Sequence, residues 1–522
     1  MRGAGQQLRA RRARKRRGHL EDTFARWDDR GYLQLVWAVN MLQSDFGTNV
    51  GRYLAYPPGA ATSEGWSEYA VHKWEIETLL TILLTTPKRS ARQGERWPVP
   101  RFDQFSTMGD VVNVLRDIEN DEAGAEPEAS SIDGLLARIG HRQFGWQRGF
   151  ATTERLFRYL YVYGQGSCAD YFLEQHGITI DDFVKVGFYL HAQLHHAPWS
   201  RPVAVGKLGI DVELIERALP LFSKTMLGIR REATELVGRQ RGRVGDQVAY
   251  LPSPLRRFPV IQDPRDGAYI APLPQLVVYR MTAGLYYDFA DAPQALLEEA
   301  NTRFEEYAQR LIEAYFPRFT ALPSQSYGPR KHRRATPDVL VQDGGQISIV
   351  IECKATKLTH EAQFADNPFE AAKSAHAQIV KGIAQLWRFF CHARQGLYDG
   401  PPVSPEAHAV LLTMDAWMQM SRQQRERALA AARELVRDEP GFADEDARPV
   451  VFCSMQELAD VMIVSDDADH LLKTLEAAVS EQYAGWGFRE VRRDLGVPQV
   501  ARAFPFDVAE LVPWWEIFQT TD

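Results

Sequence analysis

Cysteine is scarce in this chain. The four present among 522 residues, Cys168, Cys353, Cys391 and Cys453, are scattered and form no CxxC pair, which excludes a zinc knuckle or a disulfide framework and fits a reducing cytoplasm. Long apolar runs are missing too. The longest lies within Glu77–Thr86 (ETLLTILLTT), far short of the roughly 20 residues that span a bilayer, so no membrane partner is expected. The basic N-terminus is not followed by an apolar stretch and a small-residue cleavage site, so it does not read as a secretory signal. Neither a GxxxxGKS/T loop nor a GxSxG elbow occurs, so the chain is not expected to hydrolyse ATP alone or to use a serine nucleophile. His191 and His195 stand four apart, but Ala192 occupies the position where a metalloprotease helix needs Glu.

An excess of positive charge is also lacking. Lys and Arg number 61 against 68 Asp and Glu, a net charge of −7. The average conceals an asymmetry, because residues 1–20 hold eight basic side chains and no acid, leaving 53 basic against 68 acidic residues for the rest. Any polyanion site in the body must therefore be local.

Along the chain, residues 1–20 read as a basic disordered arm, since like charges repel and little there is apolar. Residues 21–235 carry apolar residues at helical spacing, as at Leu33, Val36, Val39 and again at Val71, Trp74 and Ile76. Within them, 119–134 (ENDEAGAEPEASSIDG) reads as an acidic linker. Residues 236–295, rich in Gly, Pro and Tyr, predict a connector of short strands and turns. From 296 to 462, helices alternate with short apolar strands, the pattern of an α/β domain around a central sheet. A helical extension, 463–522, completes the expected organisation.

The segment richest in chemistry is Thr336–Thr356, TPDVLVQDGGQISIVIECKAT. Gly344 and Gly345 suit a tight hairpin turn between two strands. Side chains alternate along a strand, so Ser348, Val350, Glu352 and Lys354 share one face while Ile347, Ile349, Ile351 and Cys353 share the other. Pairing through the turn brings Asp338 opposite the Glu352 end. Two carboxylates, helped by the backbone carbonyl of Cys353, could hold a Mg²⁺, and Lys354 could steady charge building on a phosphodiester. From Pro323 to Thr336 the chain carries four cations, Arg330, Lys331, Arg333 and Arg334, and no acid, the composition of a phosphate-binding loop. Arg230, Arg231, Arg239, Arg241 and Arg243 form a second basic cluster.

Pro337-Asp338, then Glu352-Cys353-Lys354 after an apolar strand, between a preceding helix with an early Glu and a long following helix, resembles the PD-(D/E)xK (restriction-endonuclease-like) nuclease superfamily over about a third of the chain, residues 296–462. The resemblance implies a restriction-endonuclease-like α/β core, a central mixed sheet flanked by helices, joined to a large mainly α-helical N-terminal region. It also implies a cytoplasmic Mg²⁺-dependent nuclease, with Mn²⁺ as a substitute, in which Asp338 and Glu352 bind the metal and Lys354 assists the nucleophile. The family's first core helix often adds a metal-binding Glu. With Phe304, Ala308, Leu311 and Tyr315 as its buried stripe, Glu305 lies about 100° from Phe304 and Glu306 about 200°, so Glu305 is the choice. Gln378 corresponds to a Gln of the RecB-like branch, although Gly382 stands where that branch has Tyr. DNA is the expected substrate, RNA the alternative, and restriction or anti-phage defence the expected setting. A non-catalytic nucleic-acid-binding or partner-binding subunit of the same fold, an RNase effector, a separate ATPase partner and a homo-oligomer stay open.

Overall fold

The computed structural model describes residues 3–44, 47–91, 97–125, 132–240, 247–331, 333–355, 363–364, 373–415, 422–496 and 501–519. Its first half is built from α1 (Ala4–Arg26), α2 (Asp29–Leu42), α3 (Lys73–Thr85), α4 (Phe105–Ala123), α5 (Ile132–Arg148), α6 (Thr153–Tyr163), α7 (Gly166–His176), α8 (Ile180–His196), α9 (Val212–Phe222) and α10 (Met226–Gln240). Among the described residues no helix is long and apolar enough to cross a membrane.

The N-terminal arm is a correction. Residues 4–26 form a helix docked along α4, with Ala13, Leu20 and Phe24 buried beneath it. Two aspartates of α4, Asp117 and Asp121, take Arg16. The disorder expected from charge density fails because one stripe of the arm is uncharged and α4 offers it an acidic, apolar bed. The acidic linker shrinks for a related reason. Glu119–Ala123 are the last turns of α4, where Glu119 receives Arg142 at 2.6 Å and 3.0 Å and Glu122 accepts the Val248 amide; residues 126–131 lie outside the described residues.

The connector does contain strands. β2 (Val260–Gln262) and β3 (Tyr269–Ile270) pair antiparallel within it, and β1 (Ser223–Thr225), a strand inside the region expected to be helical, joins them parallel to β2. It also contains helices, α11 (Gln275–Met281) and the short α12 (Tyr286–Phe289). Every side chain from Leu276 to Met281 is buried, so α11 shows no polar face from which a period could be read. Its one charge, Arg280, is held by Asp288 at 2.7 Å and 2.9 Å.

Helix α13 (Gln294–Tyr315) leads into a five-stranded mixed sheet of β4 (Phe319–Pro323), β7 (Val339–Asp343), β8 (Gln346–Lys354), β9 (Val403–Thr413) and β10 (Val450–Ser454), in the order β10-β9-β8-β7-β4. β8, β9 and β10 run parallel, and β7 is antiparallel to both β8 and β4. Gly344 and Gly345 both take positive φ, 57° and 88°, and close the two-residue turn between Asp343 and Gln346, a conformation that L-residues with a Cβ resist. β8 is largely buried on both faces, as befits a central strand. Ile349, Ile351 and Cys353 join the core beneath α13, whereas Val350 faces α14 (Lys373–Arg394) and α15 (Arg422–Val436). An irregularity near Ser348 turns Ile347 toward the α14 side, one departure from strict alternation.

Ser454 and Glu457 form the capping box that opens α16 (Met455–Ile463), followed by α17 (Ala468–Ala478), α18 (Phe488–Asp494) and α19 (Trp515–Gln519). The α13 side of the sheet and the N-terminal helices share one continuous core. Phe157 of α6 packs on Tyr307 of α13 and on Phe504 and Phe506 of the C-terminal segment. The molecule is thus a mixed α/β protein in which the helical body covers one face of the sheet and α14 and α15 the other.

Candidate active site

The carboxylates converge because β7 and β8 end in register. Val339 pairs with Ile351, so Asp338 lies one step beyond the ladder, beside the last residues of β8. There its Oδ2 accepts the Cys353 amide at 2.7 Å. N–H and C=O of one residue leave a strand on the same edge, which directs the Cys353 carbonyl toward Asp338 as well. The Cys353 side chain points the other way, into the core, and burial keeps its thiol well above the ordinary range and protonated.

Glu352 is 1% exposed. Its Oε1 accepts from Lys354 Nζ at 2.5 Å, and its Oε2 is buried with no hydrogen-bond partner among the described residues. Burial and the neighbouring charge of Asp338 push the Glu352 carboxyl up to about 8, against the pull of Lys354. Glu305, half-buried on α13, is raised to about 7 by burial and by Asp338. Asp338 is raised as well, by burial that Lys354 and the Cys353 amide only partly offset. Burial works against the Lys354 ammonium, but Glu352 and Asp338 outweigh it and hold it charged. Glu306 is exposed, in keeping with the helical angle that separates it from Glu305. The cluster therefore sets three carboxyl groups against one ammonium, a site short of positive charge.

Sequence reasoning treated Gly382 only as a departure from a motif. A Cβ built there would stand 2.8 Å from Leu411 Cδ1, 3.0 Å from Lys354 Cε and 3.3 Å from Glu352 Cγ. The missing side chain lets α14 lie directly over the charged pair. An isolated Gly in a helical pattern is the available signal, since it costs about 1 kcal/mol relative to Ala unless packing needs it. The end of β9 was also missed. Met414 N donates to Lys354 O at 3.2 Å, Arg158 of α6 donates to Met414 O at 3.0 Å, and Tyr159 donates to Asp415. No short motif marks these residues, which meet only through the docking of α6 on the strand ends.

One end of the basic segment is tied to α14. β5 (Ser326–Tyr327) and β6 (Arg334–Ala335) pair as a hairpin, Tyr327 opposite Arg334. Tyr327 bonds His392 at 2.7 Å, and Arg334 reaches His392 and pairs with Glu439 at 2.9 Å. His392 sits ten residues beyond Gly382 on α14, about 15 Å along the helix. The Tyr327–Arg334 end of the hairpin is thus anchored along α14, and Arg334 is engaged in an ion pair with Glu439. Arg330, Lys331 and Arg333 are exposed; His332 lies outside the described residues. Gln378 is exposed on α14, one turn before Gly382. Of the second basic cluster, Arg230 is held by Asp29 at 2.8 Å and by the carbonyls of Leu83 and Thr86, while residues 241–246 are outside the described residues. His191 bonds the Pro274 carbonyl at 3.1 Å, and burial lowers both it and His195, the latter to about 4, as expected of neutral helix-packing imidazoles.

Among the described residues no three His, Cys, Asp or Glu side chains are gathered closely enough to hold a metal ion. Glu305, Asp338 and Glu352 feel one another's charge, but Lys354 and the Cys353 amide take up the oxygens that a cation would share. The donor chemistry still fits a hard divalent ion, with carboxylate oxygens, a strand-end carbonyl and one buried oxygen left without a partner. No protein-family model matches the chain, no curated protein matches it, and no solved structure matches its fold.

Proposed function

We propose that the chain is a divalent-cation-dependent nuclease of the PD-(D/E)xK kind that hydrolyses phosphodiester bonds of DNA. The observation that carries this reading is Glu352, a buried carboxylate with one oxygen unpartnered, set among Asp338, Glu305 and Lys354 at a strand end. A solvated surface ion pair, the bland alternative for charges two apart on a strand, would not be 1% exposed nor have its carboxyl raised to about 8. Asp338, Glu352, Glu305 and the Cys353 carbonyl, drawing closer than they stand here, would hold Mg²⁺, or Mn²⁺ in its place, which would supply acidity to a water and neutralise charge on the scissile phosphate. Lys354 is the chain's own cation at that point. Its Nζ can donate to a phosphate oxygen as negative charge builds there, a contribution worth most where bulk water is excluded. Gly382 keeps α14 close enough to exclude that water. A nuclease of this kind works in the cytoplasm, where restriction or antiviral defence meets incoming DNA.

The test uses metal-free full-length protein with plasmid, single-stranded DNA and RNA, each with Mg²⁺, Mn²⁺ or chelator. DNA cutting is expected with either ion and not with chelator. Asp338→Ala and Lys354→Ala should each lower it by about 10³-fold or more while retaining the wild-type circular dichroism, the scale set by losing a charge stabiliser in a dry site. Cutting of RNA alone would move the substrate class, and equal cutting by all three proteins would discard the assignment.

A further inference from the structure

The basic N-terminal helix has no part in the site described above. It carries the densest positive charge in the chain, seven Lys and Arg from Arg9 to Arg17. At about 100° per residue, Ala13, Leu20 and Phe24 form the stripe buried on α4, and Arg16 and Arg17 flank it, paired with Asp117, Asp121 and Glu21. Arg11, Arg12, Arg14 and Lys15 fall on the opposite arc, and all four are exposed. Arg14 Nε bonds only the Ala10 carbonyl, and none of the four has an ion-pair partner among the described residues. The acids that follow on the helix are already engaged, Glu21 with Arg17 and Asp22 with Arg26 and Arg89.

Such a ridge is costly to keep. Like charges three and four apart on a helix repel. The helix is held instead by its packing on α4. We infer that this outward face of α1 is a docking surface for the phosphate backbone of duplex DNA, a contact without sequence preference. The four cations span about 6 Å of helix axis, and that length of duplex carries about three to four phosphate charges. An anionic membrane is disfavoured, because the apolar stripe of α1 is already buried and Leu8 is the one large apolar side chain the helix leaves exposed, too little to enter the headgroup region. The choice of DNA among polyanions rests on the nuclease reading; the surface itself does not.

The test measures binding of the full chain to a labelled 30-base-pair duplex of random sequence in chelator, between 50 and 200 mM KCl. If the four cations contact phosphates, replacing them together (Arg11→Gln, Arg12→Gln, Arg14→Gln, Lys15→Gln) should flatten the slope of log affinity against log salt by about 3.6. The wild type then loses about 150-fold more affinity than the variant across that range. A second variant, Arg11→Lys, Arg12→Lys and Arg14→Lys, keeps the charge and should keep the wild-type slope. Equal slopes for wild type and the glutamine variant overturn the proposal. So does loss of binding to phosphatidylserine vesicles in the glutamine variant with no change in its DNA slope, which would assign the ridge to a membrane surface. No cleavage occurs in chelator, so a protein that never cuts DNA would sink the nuclease reading and leave this result standing.

Discussion

Two buried carboxylates, Glu77 on α3 and Glu352 on β8, are 7% and 1% exposed and have opposite electrostatic fates. Glu77 is fully served: Arg256 grips it at 2.8 Å and 2.9 Å and Trp146 donates at 2.9 Å. Burial alone would favour its neutral form, yet Arg256 and these hydrogen bonds hold its carboxyl below the usual range. Glu352 has one partner, Lys354, to share with Asp338 and Glu305, and it is pushed up to about 8. Glu77 is matched to its counter-charge within the fold, whereas the Glu352 cluster is left short of positive charge among the described residues, the deficit that the proposed cation would make good.

The comparison breaks most visibly by removing the partner of each carboxylate's kind. Arg256→Ala leaves Glu77 buried and unpaired and should cost about 3–5 kcal/mol of unfolding free energy, measured by urea denaturation. Should it cost nothing, the contrast between the two acids disappears.

Acidity separates them next. The folded pKa of Glu352, near 8, lies above its ordinary 4.5, so the folded state holds a proton that the unfolded chain has released. Its contribution to stability is present below about pH 4.5 and is lost as pH rises through about 8. Glu77 tilts the other way: with its folded pKa depressed, its contribution is present above the unfolded value and is lost as pH falls through the folded one. Metal-free wild type should therefore lose more stability between pH 5 and pH 8 than Glu352→Gln does. Parallel curves for the two proteins would mean that Glu352 is ionised like any surface acid.

The smallest effect on stability, with a clear effect on turnover, is expected at Gly382. Ala there gains about 1 kcal/mol of helix propensity but must displace Leu411, Lys354 or Glu352. The two nearly cancel in a thermal melt, while moving Lys354 should slow single-turnover cleavage about 10- to 100-fold. Full activity in Gly382→Ala would show that the close approach of α14 has no bearing on the charged pair.

These contrasts were unevenly legible in the sequence. Strand β8 and its hairpin could be read because alternation, the Gly344–Gly345 turn and the charged strand end all lie within about twenty residues, and Glu305 could be chosen over Glu306 from one helical angle. What could not be read depends on partners distant in the chain. α1 is ordered by aspartates a hundred residues away, α11 is hidden by being buried all round, and Arg334 is drawn to His392 and Glu439. Gly382 carried a signal, but its meaning needed the position of Lys354 in space.

The deficit of positive charge around Glu352 is tested most directly by calorimetric titration of Mn²⁺ into metal-free protein at pH 7, in two buffers of different ionisation enthalpy. At that pH Glu352, raised to about 8, is mostly protonated and Glu305, raised to about 7, is about half protonated, so the wild type should bind Mn²⁺ with release of protons to the buffer. Glu352→Gln should lose that binding and its proton release, and Glu306→Gln, altered at an exposed neighbour, should match the wild type. An absence of binding in the wild type, or binding undiminished in Glu352→Gln, would contradict the account.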